Sequence, residues 1–360
     1  MTTHLAAVCP AKGEPFEIHS RPTPTPGPGE LLIEVKSVAL NPADYIMRAQ
    51  GLLVSTYPTV LGFDMVGIVI EVGDNVPGIR PGTRVAAYAA WAWKASNPDY
   101  GAFQEKCLVP WQHAILLPDD TISWNEAATL PVSIQVPLSA WDSLGIAKLG
   151  PVSPEPAVKP KKNALLIWGA SSSVGTMGVQ TARLICEDPS SPFAAVYATA
   201  GVPNHEYVQS LGARRVFDYK EAHVVDDILS AAREDGLVIQ HSFLAMGELA
   251  QCQQVLGAFV TESQTARIAS APPIPLNAET VNGVETIFVV PSNEEEQRLA
   301  QFQYWMGPWV TDALASGAIQ PSPKPEIVGR GLEAVNAGLD KLDQGVSCTK
   351  LVIELTSSPI

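Results

Sequence analysis

The sequence predicts an α/β protein in which a β-rich first third is followed by a doubly wound parallel sheet. Three observations lead there. Short alternating apolar runs between Gly and Pro punctuation fill the first third, as in "LLIEVKSV" (31–38), "VGIVIEVG" (66–73) and "TRVAAYAA" (83–90). From Ala164 onward, apolar runs alternate with helix-length segments, the pattern of parallel strands joined by crossover helices. Between the two lies "GPVSPEPAVKPKKN" (150–163), whose four prolines exclude a continuous helix or an interior strand.

The strands expected in the second part are "ALLIW" (164–168), "AVYATA" (195–200), "RVFDY" (215–219), "LVIQHSF" (237–243), "AFVTE" (258–262) and "TIFVV" (286–290). His241 is expected at the carboxyl edge of that sheet, in a structural role. A helix opens at "SNEEEQRLAQFQYW" (292–305), with Ser292 and Glu295 at capping-box spacing, and is expected to close the second domain. The proline-rich connection reads as a solvated loop, although Lys159, Lys161 and Lys162 offer charge to an acidic partner.

The chain has 360 residues, enough for two cores, with 46% hydrophobic and 17% charged residues, an ordinary globular composition. A net charge of −14 with only 23 Lys and Arg argues against nucleic acid or an anionic membrane as partner, since both reward clustered positive charge. No apolar run reaches the roughly 18 residues of a membrane span and no targeting segment is visible, so a cytoplasmic location is expected; the chain is also expected to be a monomer. Five scattered cysteines without CxxC fit free thiols, and no local His or Cys spacing makes a metal site.

The stretch "ALLIWGASSSVGTMGVQTARL" (164–184) reads as strand, tight turn and helix. A dinucleotide's pyrophosphate sits at such a helix start, where free N–H groups and the helix dipole favour negative charge. Gly169, Ser172 and Gly175 give a G-x-x-S-x-x-G spacing in place of G-x-G-x-x-G, and the serines offer hydroxyl donors instead of lost backbone access. Ser171, Ser172, Ser173 and Val174 are thus candidate phosphate ligands; a tight turn without a ligand is the competing reading. The second strand ends in Ala200, Gly201 and Val202, where an NAD-binding domain normally places an acid on the ribose. Gly201, Val202, Pro203, Asn204, His205 and Tyr219 therefore suit the 2′-phosphate of NADP, with no strong cation among them.

Several segments together resemble the medium-chain dehydrogenase/reductase superfamily in its zinc-free quinone and enoyl reductase branch. They are "ALNPADYIMRAQG" (39–51), "YPTVLGFDMVGIVIEVG" (57–73), "GIRPGTRV" (78–85), "YGAFQEKCLVP" (100–110), "AATLPVSIQV" (127–136), "GASSSVG" (169–175), "LGARRVFDY" (211–219) and "TKLVIEL" (349–355). The resemblance implies a GroES-like catalytic domain over 1–130, an NADP-binding Rossmann domain over 131–310 and a return to the first domain over 311–360, with the active site in the cleft between domains. Zinc-dependent members use a Cys and a His-Glu pair where this chain reads Asn41 to Asp44 and Gly62-Phe63-Asp64, so no metal is expected.

The linker and the carboxy-terminal run are most similar to fungal enoyl reductases that serve polyketide synthases in trans, of the lovastatin enoyl reductase type. That implies an NADPH-dependent reductase of the α,β-double bond of a thioester tethered to the synthase's acyl carrier domain. A quinone or enone reductase on free small molecules, and a dinucleotide-binding protein without turnover, are the alternatives. Ile46 and Val136 depart from the lovastatin-type pattern, which has a lysine and a threonine there, and make the site more apolar.

Hydride transfer needs alignment, exclusion of water and a donor for the developing enolate oxygen. The resemblance places Ala43, Asp44, Tyr45 and Ile46 beside the nicotinamide, and Ser347 and Cys348 in a loop over the cofactor. Asp44 either hydrogen-bonds in the site or fixes the turn after Pro42. Tyr45 is the nearest candidate proton donor, with packing as the alternative. Leu130, Pro131, Val132, Ser133, Ile134, Gln135 and Val136 line the substrate site by the same resemblance, Ser133 and Gln135 being able to reach a thioester carbonyl unless they are buried helix residues. Lys350 is the family's common residue at the start of the last strand.

Overall fold

The computed structural model describes residues 2–118, 121–148 and 161–355. The chain divides into two units, Met1–Val132 with Ser292–Ile360, and Ser133–Pro291. The first unit opens with β1 (Thr3–Cys9), β2 (Glu17–Pro22), β3 (Glu30–Ala39), α1 (Pro42–Gln50), β4 (Thr59–Val60), β5 (Asp64–Val72), β6 (Arg84–Tyr88), β7 (Lys106–Pro110), β8 (Ala114–Leu116) and α2 (Trp124–Ala128). The helix α3 (Leu130–Ser143) carries the chain across the boundary. The second unit contains β9 (Asn163–Trp168), α4 (Ser173–Glu187), β10 (Phe193–Thr199), α5 (His205–Ser210), β11 (Arg215–Phe217), α6 (Val224–Glu234), β12 (Val238–Leu244), α7 (Leu249–Gly257), β13 (Ala266–Ser270) and β14 (Val284–Phe288). The return consists of α8 (Glu295–Trp305), α9 (Pro308–Ala315), β15 (Lys324–Arg330), α10 (Ala334–Asp343) and β16 (Thr349–Glu354).

In the second unit six strands run parallel in the order β11-β10-β9-β12-β13-β14. This is the doubly wound order, with its switch point between β9 and β12. The strands read as continuous apolar runs because both faces are covered. Leu166, Trp168 and Tyr197 point to the α6 and α7 side, against Ile228, Ala232 and Leu256. The alternate residues face α4, and a Cβ on Gly178 of that helix would come within 3.0 Å of Phe243.

In the first unit β3 is the hub. It pairs antiparallel with β5, β7 and β16 in a sheet ordered β15-β16-β3-β5-β6-β8, while β2-β1-β4 form a smaller sheet. Among the described residues no helix is long and apolar enough to cross a membrane.

Several local expectations are corrected. The helix at 295–305 belongs to the first unit, so the return begins at Ser292 and not at 311. Aromatic packing holds it there: Phe302 stacks on His113 with ring centroids 3.8 Å apart and meets Tyr88 and Trp93 edge-on. Ser292 does not cap the helix; its hydroxyl donates to Gln297 and accepts the Glu294 N–H. "AFVTE" is a helix end and turn, and the strand is Ala266–Ser270, where Ala266, Ile268 and Ala269 are fully buried. His241 lies inside β12, paired with Leu165 and Arg267, so it is not at the carboxyl edge. Burial lowers its pKa to about 4. The proline-rich connection, with Lys159, lies outside the described residues, while the Lys161 ammonium is bound to the carbonyls of Cys186 and Asp188.

Candidate active site

The first unit holds a buried polar cluster where its elements meet. Asn41 precedes α1, Asp64 starts β5 and Lys350 lies in β16. The Lys350 ammonium donates to Asn41 Oδ1 at 2.6 Å and pairs with Asp64 Oδ2 at 2.9 Å. Asn41 Nδ2 donates to the same Asp64 oxygen at 2.9 Å, and the Val132 N–H donates to Asp64 Oδ1 at 2.7 Å. Both charges are thus removed from water but paired and hydrogen-bonded, the condition under which a buried pair is tolerated. Asp44, fully buried, accepts the Asn41 N–H on Oδ2, while its Oδ1 has no partner. Burial pushes its carboxyl up to about 7; the Asp64 charge adds to this, and the Asn41 donor and Lys350 oppose it. Burial and these two carboxylates also raise the Tyr88 phenol. Of the two readings of Asp44, its Oδ2 serves the turn.

The second unit holds the loop between β9 and α4, at the switch point. Gly169 adopts φ +77°, and a Cβ there would lie 2.4 Å from the Met246 carbonyl, so the loops after β9 and β12 touch. Thr199 at the end of β10 pins the loop, its hydroxyl accepting the Gly169 N–H and its carbonyl the Ala170 N–H. Ser172 is the N-cap of α4, accepting the Gly175 N–H and donating to the Gly169 carbonyl. Its hydroxyl is therefore spent within the loop and is not the free donor expected, which leaves the half-buried Ser171 and Ser173. At the start of a fifteen-residue helix the N–H groups of Ser173 and Val174 have no intrahelical acceptor. These residues fit a pyrophosphate.

At the end of β10, Gly201 has open space: its nearest neighbours to an added Cβ are Pro203 Cδ at 3.9 Å and Tyr219 Cε1 at 4.0 Å. Val202–Asn204 form a single 3-10 turn with Val202 exposed, and His205 Nε2 donates to the Ala200 carbonyl.

The remaining expected residues are dispersed. Ala43 and Ile46 are half-buried on α1. The Tyr45 hydroxyl is engaged by Asp343, whose hydrogen bond and charge raise its pKa, and Arg48 lies 5.6 Å from its ring. Leu130, Ser133 and Ile134 are fully buried in α3, Pro131 is buried, and Val132 and Val136 are half-buried. Gln135, 2% exposed, has an Nε2 without a partner. Ser347 is exposed, and Cys348 is half-buried with a left-handed φ of 51°. Among the described residues no group of three or more His, Cys, Asp or Glu is arranged to hold a metal ion.

Comparison with known proteins agrees with this fold. Residues 27–119 match the alcohol dehydrogenase GroES-like domain. Trans-enoyl reductase tndF of Aspergillus flavipes is 39% identical over 358 residues, covering 98% of this chain and 99% of that protein. Trans-enoyl reductase tazE of Aspergillus terreus is 38% identical over 300 residues, covering 82% and 94%. An alcohol dehydrogenase superfamily protein from Novosphingobium aromaticivorans shares the fold at a TM-score of 0.77 and 18% identity, over 98% of this chain and 100% of that one. A GroES-like sheet unit together with a doubly wound dinucleotide-type unit defines a medium-chain dehydrogenase/reductase. The chain belongs to that superfamily and, within it, to the fungal trans-enoyl reductases.

Proposed function

We propose that this chain is a zinc-independent, NADPH-dependent trans-enoyl reductase that reduces the α,β-double bond of a polyketide thioester carried by a polyketide synthase's acyl carrier domain, working as a cytoplasmic monomer. The observation that carries this reading is the similarity to two proteins named trans-enoyl reductases, at 38–39% identity over most of the chain. The bound cofactor supplies a hydride for the β-carbon.

This chain's own residues supply the rest. Ser171, Ser173 and the first N–H groups of α4 hold the pyrophosphate. Gly201 leaves the ribose side free of a carboxylate that would repel a 2′-phosphate. Gln135 has a buried donor with no partner, which suits the oxygen of a thioester carbonyl as negative charge develops on it. The Lys350 ammonium bound to Asn41 and Asp64 supports the zinc-free reading, since those donors are already taken.

The test follows NADPH oxidation with a crotonyl thioester, a quinone and no acceptor, side by side. Turnover with the thioester alone supports the proposal. Faster turnover of the quinone overturns it in favour of a reductase of free small molecules.

A further inference from the structure

The NADPH reading leaves a charge unanswered. A ribose 2′-phosphate is an anion, and the residues at the end of β10, Gly201 to Asn204, contain no cation. In doubly wound domains a basic side chain near this strand end accommodates that phosphate.

The register of the sheet supplies a cation. Strand β11 runs parallel to β10 with Thr199 opposite Phe217, so the residues two beyond each pairing, Gly201 and Tyr219, are carried side by side. The Tyr219 ring lies 4.0 Å from where a Cβ on Gly201 would be. The next residue is Lys220, whose ammonium is 5.8 Å from the centre of that ring. The turn that presents Lys220 is fixed, because its N–H donates to the Asp218 carboxylate at 3.0 Å. Its side chain is exposed and makes no ion pair among the described residues. The other charges of this turn, Asp218 and Glu221, are negative, so Lys220 is its one cation.

We propose that Lys220 selects the phosphorylated cofactor, its ammonium pairing with the 2′-phosphate in the open space beside Gly201 while the Tyr219 ring supports its stem. An ammonium bonded to a phosphate oxygen is a charge-assisted contact that NADH cannot make. This rests on the dinucleotide-binding reading of the second unit and deepens it.

The experiment titrates the full chain with NADPH, NADH and 2′-phospho-AMP, following intrinsic fluorescence or heat, for the wild type, Lys220→Met and Lys220→Arg. Lys220→Met is expected to weaken NADPH and 2′-phospho-AMP at least tenfold, to leave NADH within twofold, and to flatten the salt dependence of NADPH binding. Lys220→Arg is expected to keep the wild-type preference. A wild type that prefers NADPH with a Lys220→Met variant that binds it unchanged overturns the role of Lys220 alone, as does an equal loss for NADH. A wild type that binds both cofactors equally overturns the NADPH reading and this inference together.

Discussion

The Lys350 ammonium lies 2.9 Å from the Asp64 carboxylate, and the two side chains are 3% and 0% exposed. They come from residues 286 positions apart and tie the strand that ends the first unit's sheet to one near its start. Removing one partner leaves the other charge buried and alone. Lys350→Met should therefore lower unfolding stability by about 3–5 kcal/mol, and adding Asp64→Asn should restore part of the loss. Urea unfolding of the single and double variants decides this; a single variant as stable as the wild type would show that the pair contributes nothing.

Asp44 makes the stability depend on pH. In the fold it keeps its proton up to about pH 7, whereas the ordinary value is 3.8. Between those values the unfolded chain binds fewer protons than the folded one, so stability falls as pH rises through this window and stays low above it. An amide at this position cannot titrate. Relative to Asp44→Asn, the wild type should lose roughly 2–3 kcal/mol between pH 5 and pH 8. Parallel pH dependences of the two melting temperatures would refute this.

Gln135 sets stability against activity. A buried donor without a partner costs about 1–3 kcal/mol, so Gln135→Met should raise the melting temperature while lowering kcat/KM for a crotonyl thioester. If turnover survives the change, Gln135 has no part in holding the carbonyl.

Gly201→Asp tests the ribose end of the site. The φ of Gly201 is −66° and an added Cβ meets nothing closer than 3.9 Å, so the substitution adds charge without strain. NADPH binding should fall about tenfold or more and NADH binding should rise, with the melting temperature of the free protein unchanged. Fluorescence titration with both cofactors is the measurement, and an unaltered ratio of affinities counts against the assignment of this strand end.

What the sequence makes legible is what neighbouring residues decide. The buried runs of β9 and β10, and the small residues of the loop before α4, are local patterns and appear where periodicity puts them. Ser172 shows the limit of this: its position in the motif is readable, but a hydroxyl so placed serves equally as phosphate donor or N-cap, and only the Gly175 N–H distinguishes them. The cluster of Asn41, Asp64 and Lys350 joins three distant segments, and no spacing rule reaches that far. Phe302 likewise reads as an apolar helix position, and nothing local says that its partner is His113. Lys220 escapes a reading by motif because strand register, and not sequence distance, sets its neighbour Tyr219 beside Gly201.

The second unit is a continuous segment set within a first unit made of two pieces. Synthesis on the ribosome delivers that inserted segment whole before α8 or β16 exists, so the first unit's sheet cannot be completed until the second unit has been made. Until β16 emerges, the Ser37–Ala39 end of β3, beyond the stretch that β7 covers, has a partner on one side only, and Asp64 lacks its cation. The arrival of β16 then pairs that end of β3 and brings Lys350 to Asp64, so strand pairing and neutralisation of the buried charge come together.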